Sequence, residues 1–125
     1  MSEDDSGMVS IVDDDASLRR ALRNLLTSVG FRVETFPSAA AFLESVPRQK
    51  IGCMVLDLRM EGMSGLQLLR RLGATGLRIP VIILTAHGDE ETRHRSLQAG
   101  AVAFLRKPVQ SAVLVDAVRA ALSAA

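Results

Sequence analysis

Five polar side chains stand where apolar runs break off, and their types together describe one chemistry. Asp57 closes the run Ile51-Gly-Cys-Met-Val-Leu-Asp57, Asp13 and Asp14 follow Met8-Val-Ser-Ile-Val12, Thr85 ends Ile79-Pro-Val-Ile-Ile-Leu-Thr85, and Lys107 comes just after Val102-Ala-Phe-Leu105. Three carboxylates in one crevice repel each other and stay ionised at neutral pH only beside a cation or strong hydrogen-bond donors. An oxygen-only donor set without a Cys/His cluster points to Mg²⁺ or Mn²⁺ rather than zinc. A carboxylate beside such a cation, with a hydroxyl and an ammonium nearby, suits phosphoryl capture. Asp57 would attack in line, Thr85 would hydrogen-bond one equatorial oxygen, and Lys107 would pair with another.

Each residue alone has an ordinary explanation. Asp57 reads as a strand-end aspartate, Thr85 as a strand-end threonine, Lys107 as a solvated lysine, and Asp14 or Asp15 as the cap of a following helix. Three aspartates in a row, at 13–15, exceed what one cap needs. What separates a site from coincidence is whether the chain brings these ends to one edge.

The intervening pattern supplies that. An apolar run such as 51–56 reads as a strand buried on both faces, which belongs to a parallel sheet covered by helices. Residues 8–12 form a first strand, and a helix from about residue 16 buries Leu18, Leu22, Leu25 and Val29, with Arg19, Arg20 and Arg23 pointing elsewhere and Gly30 ending it. Residues 31–36 alternate as a second strand. Pro37 or Ser38 opens a helix through Ala39, Phe42, Leu43 and Val46 that Pro47 closes. After the central strand, Ser64 caps a third helix with Leu66, Leu69 and Leu72 inward, and residues 79–85 form the fourth strand. Residues 88–99 are helix-like yet offer only Leu97 and Ala99 as apolar anchors, so that helix is weakly held. Residues 102–105 form the fifth strand, and 109–122 a last helix through Leu114, Val118, Ala121 and Leu122. Strands alternating with helices specify a doubly wound α/β domain, because each parallel crossover is right-handed and covers one face. Ligand chemistry in such sheets sits at the carboxyl ends of the strands, where the connections change direction.

The totals exclude several classes. At 125 residues, 48% apolar and 23% charged, the chain is one globular domain with a single sizeable core. A net charge of +1 and the lack of a dense Lys/Arg block leave no electrostatic footprint for nucleic-acid binding by this domain, and Arg19/Arg20 and Arg70/Arg71 read as solvated helix faces. Cys53, inside the central strand, reads as an inert buried thiol. His87 and His94 read as surface residues. No run of about 18 apolar residues could span a bilayer, and the start, Met1 to Gly7, lacks a signal peptide's basic and apolar regions. Residues 1–7 are expected to fray, and a cytoplasmic protein is the default.

Taken together, Val9-Ser-Ile-Val-Asp-Asp-Asp15, Val55-Leu-Asp-Leu-Arg-Met60, Gly62-Met-Ser-Gly-Leu66, Leu84-Thr-Ala-His-Gly88, Ala99-Gly-Ala101 and Phe104-Leu-Arg-Lys-Pro108 resemble the receiver domain of bacterial two-component response regulators. The likeness covers residues 8–122, and the wording around Arg59-Met60 and residues 85–89 is most similar to the branch that includes the nitrogen-fixation transcriptional regulators. The resemblance implies a flavodoxin-like receiver, a five-stranded parallel sheet of order 2-1-3-4-5 with five helices, in a single domain over residues 8–123. It implies that Asp57 accepts phosphate from a histidine kinase. Asp13 and Asp14 would form the acidic metal pair, with the backbone carbonyl of Arg59 a further ligand. Thr85 and Phe104 would be coupled switch residues, and Lys107 would contact the phosphoryl group. Phosphorylation would alter the surface of helix 4, strand 5 and helix 5, serving homodimerisation or a transcriptional output. Glu61 stands where the family usually has proline, and Arg106 and Val109 where an acid and an aromatic are frequent. The chain ends after its fifth helix, so no output domain is expected within it.

Three other readings stay open at this point. A metal-dependent phosphohydrolase would use Asp57 as a transient nucleophile, but such enzymes place a second carboxylate two residues on, where Arg59 stands. A flavodoxin-like binding module would need a hydroxyl- and glycine-rich phosphate loop where residues 13–15 are acidic. A degenerate receiver would act by protein contact alone.

Overall fold

Long apolar strands need cover on both faces, and among the described residues five helices supply it. In the computed structural model, which describes residues 7–45, 51–76 and 78–124, the strands are β1 (Met8–Val12), β2 (Val33–Phe36), β3 (Ile51–Leu56), β4 (Val81–Thr85) and β5 (Ala103–Arg106). They form one parallel sheet of order β2-β1-β3-β4-β5, the order the resemblance implied. The helices are α1 (Ala16–Ser28), α2 (Ala39–Ser45), α3 (Gly65–Ala74), α4 (Glu90–Gln98) and α5 (Ser111–Ala124).

Alternation along each central strand sorts the core into two layers. Val9, Ile11, Cys53, Val55, Ile82 and Leu84 face α1 and α5, where Leu22, Leu26, Leu114 and Val118 complete one cluster. Val12, Met54, Leu56, Val81 and Ile83 face the other side, against Phe42 of α2 and Leu68, Leu69 and Leu72 of α3. Phe42 is fully buried and meets Phe36 edge to face at 5.4 Å. Cys53 is fully buried, and burial pushes its thiol up to about 12.

The caps fix where the helices start. Asp15, not Asp14, caps α1, accepting the Leu18 amide at 3.1 Å. Ser64 caps α3 as expected, in a reciprocal box: its hydroxyl accepts the Gln67 amide at 3.2 Å while the Gln67 side chain accepts the Ser64 amide at 2.8 Å. Asp89 caps α4, accepting the Thr92 amide at 2.8 Å.

Several expected boundaries and anchors differ. Val29 is not an anchor of α1: the helix ends at Ser28, Val29 is 40% exposed, and Leu26 takes the buried place. The second strand starts at Val33, because Gly30 and Phe31 are spent turning back, their amides donating to Thr27 and Leu26 carbonyls. In α3, Leu68 is fully buried and Leu66 only partly. β4 begins at Val81, although the Pro80 carbonyl already accepts the Met54 amide at 2.9 Å. Val102 is 56% exposed and β5 runs one residue later than expected, to Arg106. The fourth helix starts at Glu90, and the fifth at Ser111 rather than 109. Val46, Pro47 and the start 1–6 lie outside the described residues.

The weak hold on α4 is borne out: Ser96 is its buried residue, and Leu97 only leans on the core. The helix is instead braced by exposed pairs of its own, Arg93 to Glu90 at 3.1 Å and Arg95 to Glu91 at 2.7 Å, each worth a few tenths of a kcal/mol.

Candidate functional site

Sheet register determines which side chains meet. Val12 lies opposite Leu56, so Asp13 and Asp57 leave the sheet side by side. Their amides extend the ladder one residue further, Asp13 to the Phe36 carbonyl and Asp57 to the Val12 carbonyl, each at 3.1 Å. Leu56 lies opposite Ile83 and Thr85 opposite Arg106, and the Lys107 amide donates to the Thr85 carbonyl at 3.0 Å. The carboxyl ends of β1, β3, β4 and β5 thus deliver the acidic, hydroxyl and ammonium groups to one edge.

Carboxylate oxygens of Asp13, Asp14 and Asp57 lie within 4.8 Å of one another. Asp13 and Asp57 are buried and Asp14 is exposed, so the group opens to solvent on one side. Lys107 Nζ reaches into it, 3.0 Å from Asp13 Oδ2 and 3.4 Å from Asp57 Oδ2. Asp13 Oδ1 accepts the Asp15 amide at 2.9 Å, and Asp57 Oδ1 the Arg59 amide at 3.4 Å.

The electrostatics are those of an under-compensated pocket. Burial pushes the Asp13 carboxyl above its ordinary value, against the Asp15 amide and Lys107, which favour the charged form. Burial also works against the Lys107 charge, but its hydrogen bond and attraction to Asp13, reinforced by Asp57, hold the ammonium above the ordinary lysine value. The two rises describe opposite sides of one contact: Asp13 bears the cost of losing water, while Lys107 gains from facing two carboxylates. Three carboxylates against one ammonium, all offering oxygen, fit a small hard divalent cation. Zinc's preferred nitrogen and sulfur donors are not part of this group.

Thr85 is fully buried at the end of β4, its hydroxyl accepting the His87 amide at 3.2 Å. Phe104 is partly buried in β5 and packs on the second core layer. Arg59 borders a shallow depression together with Asp14, Met60, Glu61 and Ser64. His87 and His94 are exposed.

Two residues escaped the sequence reading. Arg19 was expected on a solvated helix face, but its guanidinium turns back and donates to the Asp13 carbonyl at 2.6 Å. Nothing in apolar periodicity signals where so long a side chain reaches. Gly65 is the other: a Cβ there would lie 2.8 Å from Leu58 Cα and collide with the Asp57 carbonyl. Its amide donates to the Leu58 carbonyl at 2.9 Å, so α3 begins in direct contact with the backbone that carries Asp57. A glycine at the first position of a capped helix, where most residues serve better, was the available signal.

With this geometry in place, comparison with known proteins gives one answer. Residues 9–119 match the family model described as the response regulator receiver domain. "Response regulator protein TodT" of Pseudomonas putida is 43% identical over 122 residues, which are 98% of this chain and 54% of the relative. "Transcriptional regulatory protein FixJ" of Azorhizobium caulinodans is 45% identical over 115 residues, 91% of this chain and 54% of that protein. The chain spans about half the length of these curated relatives. Among solved structures, "FixJ-N" superposes with a TM-score of 0.86 at 42% identity, covering 93% of each chain.

Proposed function

The chain belongs to the response regulator receiver family of two-component signalling, and on that premise we propose that Asp57 is the phosphoacceptor within a receiver spanning residues 8–123. A receiver is not a conventional enzyme; it catalyses at most its own phosphorylation and dephosphorylation. The donor implied by the family is the phosphohistidine of a cognate sensor histidine kinase. A carboxylate oxygen of Asp57 attacks phosphorus in line, the P–O bond forms as the donor's P–N bond breaks, and the imidazole leaves with the electron pair and takes a proton from water.

The observation that carries this reading is the buried Asp57 carboxylate, gathered with Asp13 and Asp14 within 4.8 Å and held 3.4 Å from the Lys107 ammonium. Lys107 pairs with an equatorial oxygen of the bound phosphoryl group, and Thr85 donates its hydroxyl to another. Mg²⁺, or Mn²⁺ in its place, held by Asp13, Asp14, Asp57 and the Arg59 backbone carbonyl, would neutralise charge on the transferring oxygens. As Thr85 moves toward the phosphoryl group, Phe104 turns into the space it vacates and α4 shifts. The weak seating of α4 supports this, because only low-stability elements rearrange for a few kcal/mol.

The output is a changed surface on α4, β5 and α5 that controls homodimerisation. A transcriptional role for the protein is supported by relatives whose names describe transcriptional regulators. This domain makes no direct nucleic-acid contact and acts in the cytoplasm. No helix among the described residues is long and apolar enough to cross a membrane. Intact mass after incubation with a small phosphodonor and Mg²⁺ tests the reading. The wild type gains one phosphoryl group and Asp57→Asn none; equal gain in both, or none in the wild type, rejects Asp57 as acceptor.

A further inference from the structure

Arg106, the last residue of β5, lies in register with Thr85. Its side chain folds back over the loop at 86–89 between β4 and α4, where Nε donates to the Gly88 carbonyl at 2.6 Å. The guanidinium carbon stands 5.6 Å from the centroid of the Phe104 ring, within cation–π range. The ring in turn rests on the α-carbon of Gly88, filling the space a side chain there would need: a Cβ at 88 would lie 2.6 Å from ring atoms Cε1 and Cζ. Residues 88, 104 and 106 therefore form one closed contact.

That contact bears on the reacting groups through one further bond. His87, next to Gly88, donates its amide to the Thr85 hydroxyl at 3.2 Å. Thr85 is tied to this loop, while the hydrogen bonds to Asp57 come from Lys107 and the Arg59 amide. The helix that follows gives the loop little support of its own, since Ser96 is its buried residue. The Arg106 hydrogen bond and the Phe104 ring both seat the loop against the sheet.

We propose that Arg106 is a positioning residue that latches the 86–89 loop onto β5 and, through His87, holds the Thr85 hydroxyl back from Asp57 until phosphorylation. This rests on the phosphoacceptor reading above and adds what opposes the switch. Because the latch stabilises the resting arrangement, anything that binds the rearranged form works against it, and removing it raises the apparent affinity of a phosphoryl mimic. A latch of this kind sits at the low end of couplings between sites, about fivefold.

The test uses Arg106→Ala and Arg106→Lys beside the wild type, with beryllium trifluoride and Mg²⁺ as the phosphoryl mimic. Without the mimic, amides 86–98 of Arg106→Ala exchange about fivefold faster than in the wild type, and the rest of the chain is unchanged. Half-saturation by beryllium trifluoride then falls about fivefold. Arg106→Lys, which keeps a donor but loses the planar guanidinium, falls between. Identical exchange and half-saturation in Arg106→Ala and wild type overturn the latch alone. Faster exchange throughout the chain with a lowered Tm makes Arg106 merely structural and overturns it as well. A wild type that does not respond to beryllium trifluoride overturns the phosphoacceptor reading, and the latch with it.

Discussion

Replacing Lys107 by alanine removes the ammonium that faces Asp13 and Asp57 and leaves both carboxylates buried without it. Their side chains are 4% and 7% exposed, and that of Lys107 is 20% exposed. Removing one partner of a buried ion pair typically costs about 3–5 kcal/mol. Here the cost is lower, because exposed Asp14 leaves the pocket open to water and because Asp13 takes up a proton more readily than an ordinary carboxyl. The expected loss is about 2 kcal/mol, or about 8 °C in Tm for a domain of this size. Urea unfolding at neutral pH in EDTA measures it. Repeating the measurement with excess Mg²⁺ narrows the gap, since the variant no longer holds an ammonium in competition with the metal. Ligand at a hundred times its Kd contributes about 2.7 kcal/mol. Lowering the pH into the carboxyl range also narrows the gap, because a protonated Asp13 needs no counter-charge. A variant as stable as the wild type in EDTA, or a deficit that Mg²⁺ leaves untouched, refutes the account of the pocket as one ammonium offsetting excess carboxylate charge.

A divalent cation at the proposed site would be held by the ionised form of Asp13, so its affinity would be full above the Asp13 pKa and would be lost as pH falls through it. Because burial raises that value above the ordinary 3.8, Mn²⁺ binding followed by electron paramagnetic resonance weakens at a higher pH than for an exposed carboxylate cluster. The stabilising charge of Lys107 is fully present below the ordinary 10.5 and is lost as pH rises through its higher folded value, so the stability advantage of the wild type over Lys107→Met, measured by urea unfolding, narrows as pH is raised above 10.5. Gly65→Ala forces α3 away from the Asp57 backbone and lowers both stability, by about 1–3 kcal/mol as for other overpacked sites, and the rate of phosphoryl uptake; an unchanged rate would show that this contact does not position Asp57. Hydrogen exchange across 86–106 changes when a phosphoryl mimic binds; no change there defeats the Thr85–Phe104 switch.

What the sequence made legible follows the strength of the burial signal. Asp13 and Asp57 follow β1 and β3, whose long apolar runs leave no doubt about strand identity or exit edge. Both edge strands lie later than the pattern suggested: the Gly30 and Phe31 amides are spent on turn hydrogen bonds that delay β2, and β5 runs from Ala103 to Arg106, with Val102 56% exposed although its amide already donates to the Val81 carbonyl. In α3 the spacing of three from Leu66 to Leu69 to Leu72 drifted off a 3.6-residue helix and passed over Leu68, which is fully buried. The thin apolar content of 88–99 correctly marked α4 as loosely seated. Arg19 was read as part of a solvated helix face and Arg106 only as standing where an acid is frequent in the family; the contact each makes was illegible, because its guanidinium reaches a backbone carbonyl, of Asp13 and Gly88 respectively, that only the folded chain brings near.

The central claim concerns one side chain, and a chemical trap addresses it directly. Borohydride cleaves an acyl phosphate reductively, converting the aspartyl group to homoserine. Protein treated with phosphodonor and Mg²⁺, reduced, digested and read by tandem mass spectrometry should carry homoserine at position 57 and nowhere else. Homoserine at position 13 or 14 instead, or none despite phosphoryl uptake, would contradict the account.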